Sequence, residues 1–410
     1  MSRFDEPQFE PILQKLRDHI RREQYGICAK FSYPYAARCF LRYLERRGLA
    51  LESVGPADLD RYLRSLRRKG RRGPFPKQYR RLHRAAIKML LRVLRGTWPP
   101  EVLPKGRELA ARNIISAFDV WMTDLRGLSL STRRHRRAEM GRLLEWLRHR
   151  NKALGAATID DLDLYVSERA VTMRRNSTAE VVSTLRGIVR YLHERGLLKR
   201  DFAPLLKGPT IYALEGIPST IAPEDVSRAL AALKEDRSPA GLRDYAIWML
   251  LTTYGLRGAE VKGLQLSDID WRGERLRIRH GKTGAYSELP LLRKSANALL
   301  DYLQHGRPAT SERTVFLRAQ APYRPLAYST PLHGVVSRRL AAVGVVPAGK
   351  HGTHALRHAR AVSLLRGGVS LKVIGDVLGH RSERSTAPYL KLATDDLRSV
   401  ALDLPVRAAP

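Results

Sequence analysis

Hydrophobic residues recur at intervals of three and four through most of the chain, which predicts a mainly helical protein. Ile12, Leu13, Leu16 and Ile20 form one such stripe within residues 7–30. A second helix is predicted around residues 35–44, and a third begins at residues 56–58. A fourth covers residues 77–95 and ends before Trp98-Pro99-Pro100, because proline cannot continue a helix.

A strict alternation of apolar and polar residues occurs in one short region. Leu276, Ile278 and His280 alternate with charged residues, a turn follows at Gly281–Gly284, and a second extended segment covers residues 287–291. This pattern predicts a β-hairpin. The sequence therefore predicts a fold that is mainly α with a small β-sheet, of the α+β class.

The helical pattern of the first hundred residues recurs 103 positions later. We interpret the match as an internal duplication, although two unrelated helical bundles could share such a pattern by chance. The predicted domains are a helical bundle over 1–100, its repeat over 107–198, a linker over 199–218 with three prolines, and a third domain over 219–410. The matched positions are Leu41, Tyr43, Leu44, Asp58, Leu59, Asp60 and Tyr62, with Leu144, Trp146, Leu147, Asp161, Leu162, Asp163 and Tyr165.

The formal net charge of +34 indicates a polyanionic partner, and nucleic acid is the class that fits best. Residues 61–100 contain 14 Lys or Arg and no acidic residue. A run this long argues against a solvated helix face. An anionic membrane surface is the minor alternative, and no stretch with a Trp- and Phe-rich face supports it. The candidate DNA-contacting residues are Arg67, Arg68, Lys69, Arg71, Arg72, Lys77, Arg80, Arg81, Arg133, Arg134, Arg136, Arg137, Arg174 and Arg175.

The sequence contains no apolar run of membrane-spanning length, and its first residues lack the apolar core of a signal peptide. Its two cysteines are too few for a disulfide framework or a cysteine zinc site. These features predict a soluble protein of a reducing cytoplasm.

Three segments with chemically active side chains follow one another near the C-terminus. His354, Arg357 and His358 have the spacing of one helix face. Leu378-Gly379-His380 follows after a break at Gly367-Gly368, and Tyr389 comes nine residues after His380. Taken alone, the histidines could pack a helix, and Tyr389 could belong to the core. Zinc binding by His351, His354 and His358 lacks a suitable fourth ligand.

Together these segments resemble the C-terminal motifs of the tyrosine recombinase, or phage integrase, family. Two upstream features extend the resemblance. Tyr254-Gly255-Leu256-Arg257, followed by Glu260, is similar to the family's first arginine box, and Lys282 lies on the predicted hairpin tip. Arg257 could instead be a surface arginine paired with Glu260, and Lys282 an ordinary turn lysine. A phosphate-binding loop at Gly281-Lys282-Thr283 is excluded, because the earlier glycine is missing and a strand follows.

The resemblance implies that Arg257, Lys282, His354, Arg357, His380 and Tyr389 are catalytic. Tyr389 would attack the scissile phosphate to give a 3′-phosphotyrosine. The arginines would stabilise the phosphorane, and Lys282 would protonate the 5′-oxygen. The histidines would assist, and neither a cofactor nor a metal would be required. Pro388, directly before Tyr389, departs from the usual family pattern.

The resemblance implies a site-specific recombinase of double-stranded DNA, acting as a tetramer on paired sites in integration, excision or transposition, with or without related recombinases or accessory factors. It also implies association with the nucleoid of a bacterial-type cell. Two alternatives stay open. A type IB topoisomerase shares the chemistry, but the two bundles and an apolar C-terminal tail count against it. A DNA-binding protein that no longer cleaves is disfavoured by the complete set of six residues.

Overall fold

The computed structural model describes residues 7–66, 77–100, 106–212, 221–281, 284–326, 332–345, 352–379 and 386. The helices of the N-terminal half are α1 (Glu10–Arg22), α2 (Ile27–Glu45), α3 (Pro56–Ser65), α4 (Lys77–Arg95), α5 (Gly106–Asp124), α6 (Leu130–His149), α7 (Ile159–Ala170) and α8 (Arg175–Glu194). Those of the C-terminal half are α9 (Pro223–Glu235), α10 (Pro239–Tyr254), α11 (Gly258–Gly263), α12 (Arg293–Asp301), α13 (His333–Ala342), α14 (Thr353–Arg366) and α15 (Leu371–Leu378).

One antiparallel sheet lies in the C-terminal half. Its strands are β1 (Ile269–Asp270), β2 (Arg275–Arg279) and β3 (Tyr286–Pro290), in that order across the sheet. Arg279 pairs with Tyr286, so β2 and β3 form the hairpin that the alternation predicted. The predicted fold class, mainly α with a small β-sheet, is confirmed.

The contacts divide the chain into two compact units, one of residues 1–100 with 216–410 and one of residues 101–215. In the second unit, α5 to α8 enclose a core that includes Phe118, Leu143, Leu185 and Ile188. Leu206, from the predicted linker, also belongs to this core, and Arg186 donates to its carbonyl at 2.6 Å. The first part of the predicted linker thus packs as part of the bundle.

The spacing of 103 residues found in the sequence recurs in the backbone. Helix α2 begins at Ile27 and α6 at Leu130, and α3 and α7 begin at positions 56 and 159. In each copy an aspartate caps the third helix: Gly55 N donates to Asp58 at 2.9 Å, and Thr158 N donates to Asp161 at 2.7 Å. Left-handed residues also recur at this spacing, as Gln24 with Gly127 and Gly48 with Asn151.

Helix α10 is the centre of the C-terminal core. It packs against α9, α12 and α14. Its side chains are buried on every side, as for Ile247, Trp248 and Leu251, which are fully excluded from solvent. A helix surrounded in this way has a fixed position, so its C-terminal end is a rigid support for the residues that follow it.

The start of the second helix was predicted wrongly. The apolar pattern placed it near residue 35, whereas α2 begins at Ile27 and contains Pro34 in its interior. Tertiary packing outweighs the cost of an interior proline here, because Ala36, Ala37 and Phe40 are completely buried. Among the helices of the described ranges, none is long and apolar enough to cross a membrane.

Candidate active site

Arg257 occupies the junction between α10 and α11. Gly255 ends α10 in the left-handed conformation, with φ of +65°, which glycine adopts without strain. Arg257 is the N-cap residue directly before α11, and its backbone N–H donates to Glu260 Oε2 at 2.7 Å. A carboxylate at this position satisfies a free N–H at the start of the helix. The sequence thus fixes Arg257 at the turn between α10 and α11, which we call the arginine corner.

The Glu260 carboxylate is the partner of the Arg257 side chain. Arg257 Nη1 donates to Glu260 Oε1 at 2.8 Å, and His280 Nδ1 lies 2.9 Å from the same oxygen. Burial by itself would raise the pKa of the Glu260 carboxyl, but the hydrogen bonds from His280 and Arg257 hold that pKa below its ordinary value. Glu260 is therefore an anion that orients the guanidinium group.

Arg357 is almost completely buried, with 3% of its surface exposed. It projects from α14, and its Nη1 donates to the carbonyl of Gly255 at 2.8 Å. Its Nη2 donates to the carbonyl of Leu378 at 2.6 Å. These acceptors lie at the C-terminal ends of α10 and α15, where carbonyls lack partners within the helix and the helix dipole favours a cation.

The two guanidinium groups converge on the end of α15. Arg257 Nη2 lies 3.3 Å from the carbonyl of Gly379, the residue after the Leu378 carbonyl that accepts from Arg357. Gly379 has φ of +60°, and a Cβ built on it would lie 2.5 Å from Cε1 of His280. Glycine is therefore required here both by the backbone conformation and by the close approach of the imidazole.

His280 joins three of the motif segments, a role that the sequence did not reveal. Its Nε2 lies 2.7 Å from Ser287 Oγ on β3, and its Nδ1 faces Glu260. Because an ionised carboxylate only accepts, Nδ1 donates to Glu260, and Nε2 lies within hydrogen-bonding distance of the serine hydroxyl. The one available signal was that His280 follows the inward-facing positions Leu276 and Ile278, where a polar residue requires buried partners.

His354 lies in the first turn of α14 and is exposed. Its neighbour Thr353 packs beside the arginine corner, since a Cβ on Gly258 would lie 3.0 Å from Thr353 Oγ1. His358 is one turn further on, and burial, with His354 and Arg357 nearby, lowers its pKa to about 4. His358 is thus neutral at pH 7, which fits a helix-packing histidine.

Three of the six predicted catalytic residues, Arg257, His354 and Arg357, lie in the described ranges. Lys282, His380 and Tyr389 lie outside the described residues, as does Pro388. The described neighbours of two of them are nevertheless in the site: His280 precedes Lys282 by two positions, and Gly379 directly precedes His380. The catalytic roles stay predictions.

The predicted DNA-contacting residues differ in their surroundings. Asp119 accepts two hydrogen bonds from Arg133, both at 2.8 Å, and one from Arg137 at 3.0 Å. Arg136 is half-buried, and Arg134, Arg174 and Arg175 are exposed. Lys77, Arg80 and Arg81 lie together on α4 and line a groove. Arg67, Arg68, Lys69, Arg71 and Arg72 lie outside the described residues.

Comparison with known proteins identifies the family. Residues 219–395 match the phage integrase family. The chain is 33% identical over 388 residues to the putative integrase/recombinase y4rA of Sinorhizobium fredii, covering 94% of this chain and 91% of that protein. It is 32% identical over 293 residues to the tyrosine recombinase XerC of Mycobacterium bovis, covering 70% of this chain and 96% of that protein.

A solved structure shows the same fold. The XerH site-specific recombinase, bound to palindromic difH substrate in a post-cleavage complex, superposes with a TM-score of 0.54 at 17% identity. The match covers 74% of this chain and 90% of that one. The fold is thus that of the tyrosine recombinases. The chain belongs to the phage integrase family within that class.

Proposed function

We propose that the chain cuts and rejoins DNA strands at specific sites through a covalent 3′-phosphotyrosine at Tyr389. The observation that carries this proposal is the convergence of Arg257 and Arg357 on consecutive carbonyls at the end of α15, directly before His380. Two positive charges beside the Leu-Gly-His segment suit an anionic reaction centre such as a scissile phosphate.

In the proposed reaction, Tyr389 gives its phenol proton to His354 or His380 and its oxygen attacks phosphorus. The bond from phosphorus to the 5′-oxygen breaks, and Lys282 gives a proton to that oxygen. A phenol with an ordinary pKa of about 10 attacks poorly at neutral pH, so nearby cations are needed to favour the phenolate. The phosphotyrosine conserves the energy of the phosphodiester bond. Rejoining is the same step in reverse, with a 5′-hydroxyl as the attacking group.

The two arginines are suited to different parts of this work. The Arg257 side chain retains 27% exposure and is oriented by Glu260, so it is suited to contact a non-bridging oxygen. Arg357 is buried and connects the arginine corner to α15. By analogy with single donors in oxyanion sites, the loss of either charge would cost about 3 kcal/mol of transition-state stabilisation.

Exchange between two duplexes requires four strand cuts, and each chain supplies one candidate nucleophile. We therefore propose a tetramer on two double-stranded sites, with related recombinases or accessory factors as further partners. Residues 1–100 and 107–198 would be DNA-binding bundles, with the catalytic domain over 219–410. The integrase/recombinase names of the relatives favour integration, excision or transposition of a mobile element.

The test is covalent capture on a DNA substrate that is nicked beside the cleavage position, taken from the ends of the element that encodes the chain. Wild type is expected to give a denaturant-resistant adduct, and Tyr389→Phe none. Tyr286→Phe is the matched control, because Tyr286 is an exposed tyrosine on β3, and it is expected to retain the adduct. Tight binding of the correct site without an adduct would contradict the proposal.

A further inference from the structure

The two helical bundles place their positive charge on different helices. Helix α4 carries seven Lys or Arg and no acidic residue, whereas α8, the last helix of the second bundle, carries three with two acids. The second helix of each bundle differs in the opposite direction. Helix α2 has three Lys or Arg and one acidic residue, whereas α6 has six Lys or Arg and two acidic residues. A shared backbone plan thus carries two different charge patterns.

Part of the positive charge of the first bundle lines a groove between α3 and α4, with a volume of about 570 Å³. Five cationic side chains and one carboxylate face it. The lining residues are Asp60, Leu63, Arg64, Lys77, Arg80, Arg81 and Arg84. In the second bundle the position of Arg64 is taken by Ser167, while the aspartate is retained as Asp163.

Two features of the groove point to an anionic ligand. Arg84 Nη2 lies 3.2 Å from Asp60 Oδ1, so the single carboxylate balances one of the five cations, and both side chains are about half exposed. Arg80 Nε is buried and has no hydrogen-bond partner among the residues that the structure describes. A buried N–H without an acceptor is unfavourable, and a ligand oxygen would satisfy it.

We propose that this groove binds backbone phosphates of duplex DNA and gives the first bundle a DNA contact separate from the catalytic site. Guanidinium groups donate to phosphate oxygens in pairs, and three arginines follow one another on α4 at spacings of one and three residues. Phosphate contacts do not depend on base sequence, so this contact adds affinity and positions the chain without choosing the site. The inference extends the proposed function.

The groove does not suit a membrane surface. Among the described residues that line the groove, Leu63 is the only apolar one and is 5% exposed, so none of these residues projects an apolar group that could enter a bilayer. Binding of the groove to a membrane would therefore contradict the proposal, and binding to vesicles of anionic lipid is measured to test for it.

The test compares full-length wild type with the triple variant Arg80→Gln, Arg81→Gln and Arg84→Gln, by fluorescence anisotropy on a duplex at several salt concentrations. Each lost phosphate contact removes about 0.9 from the slope of log affinity against log salt, so the slope should fall by up to roughly 2.7. At moderate salt the variant should bind about tenfold more weakly. Unchanged slope and affinity would overturn the proposal, as would loss of vesicle binding with DNA binding intact.

The matched control is Lys15→Gln, Arg21→Gln and Arg22→Gln, which removes the same charge from exposed positions of α1 in the same bundle. It should lower the slope by less than half as much. Asp60→Asn is a second, opposite test, because it removes the carboxylate that competes for Arg84. It should tighten binding about threefold, a gain that misfolding cannot produce. An equal effect of both triple variants, or no gain with Asp60→Asn, would count against the groove.

Covalent capture distinguishes this inference from the proposed function. The adduct is measured with wild type and Tyr389→Phe, whereas the groove is measured by the salt slope of binding. If wild type forms no adduct but the groove variant lowers the salt slope, the proposed function fails and the groove stands. If the adduct forms and the slope does not change, the groove fails and the proposed function stands.

Discussion

The two arginines of the candidate site are held in different ways. Arg357 has 3% exposure and donates to the neutral carbonyls of Gly255 and Leu378. These bonds orient its guanidinium group without cancelling its charge. Arg257 has a side chain that is 27% exposed and shares its charge with the Glu260 carboxylate. One arginine thus joins two helix ends, and the other is oriented by an anion.

Because the two arginines are held differently, their contributions to the stability of the fold and to the reaction should differ. Removing Arg357 leaves two acceptors at helix ends without these donors. Removing Arg257 leaves Glu260 with two of its partners, the backbone N–H at position 257 and the ring of His280. The first change should therefore affect stability as well as catalysis, and the second mainly catalysis. Substitutions around the two arginines can test this distinction.

The largest effect is expected from Arg357→Met. It should lower the free energy of unfolding by roughly 4 kcal/mol, because each buried acceptor left without a donor costs about 1–3 kcal/mol. Arg257→Met should cost about 1 kcal/mol, since Glu260 keeps its other donors. Urea unfolding followed by circular dichroism measures both. Equal losses for the two variants would remove the distinction.

Gly379→Ala should affect both arginines, because its carbonyl and that of Leu378 accept from them. The substitution forces a left-handed alanine and brings its Cβ to 2.5 Å from the His280 ring. Together these should cost roughly 3 kcal/mol of unfolding free energy.

Gly368→Ala is the matched control, because φ there is +77° and no atom lies within 4 Å of the added Cβ. It should cost only about 1 kcal/mol, the backbone strain alone. Adding His280→Ala to Gly379→Ala should recover part of the loss. Equal losses of unfolding free energy in Gly379→Ala and Gly368→Ala, with no recovery when His280→Ala is added, would show that the imidazole contact is absent.

Glu260→Gln should reduce the rate of adduct formation and cost about 2 kcal/mol of unfolding free energy at pH 7. The pKa of Glu260 is lowered in the folded state, so its carboxylate stabilises the fold above the ordinary value of 4.5. That contribution is lost as pH falls from 4.5 through the lowered folded-state pKa. The difference between wild type and variant should therefore shrink below pH 4.5. A constant difference from pH 7 to pH 3 would be inconsistent with an ionised Glu260.

Ser287→Ala should have the smallest effect. It removes the hydroxyl that lies 2.7 Å from His280 Nε2, while the bond from Nδ1 to Glu260 remains. We expect a loss of about 0.5–1 kcal/mol in unfolding free energy and a rate of adduct formation about threefold lower. Ser337→Ala is the control, because Ser337 is a partly buried serine on α13, and it should leave the rate unchanged. A tenfold loss at Ser287 would mean that the serine acts on the reaction more directly.

Much of the fold followed from local pattern. Helix α4 has the predicted bounds because its apolar stripe is unbroken and a Trp-Pro-Pro segment follows it. The hairpin of β2 and β3 followed from alternation around a glycine turn. The start of α2 did not, because Pro34 signals a helix end locally and only the packing of Ala36, Ala37 and Phe40 overrides it.

The site was predictable as a set of residue types but not as a set of contacts. Motif spacing selected Arg257, His354 and Arg357, and Glu260 was recognised as a possible partner of Arg257. The carbonyls of Gly255 and Leu378 have no signature in the sequence, because every residue has a backbone carbonyl. Asp119 similarly pairs with Arg133 and Arg137 from another helix, which no local pattern indicates.

The central claim is that the positive charge at the end of α15 acts on the scissile phosphate that Tyr389 attacks. The most direct test is adduct formation on DNA in which a methyl group replaces one non-bridging oxygen of that phosphate. This phosphate is uncharged, so it requires less positive charge in the transition state. Arg257→Ala is expected to be strongly impaired in adduct formation on ordinary DNA and to form the adduct on the methylated substrate, whereas Tyr389→Phe should form none on either. A folded Arg257→Ala protein that fails on both substrates would contradict the account.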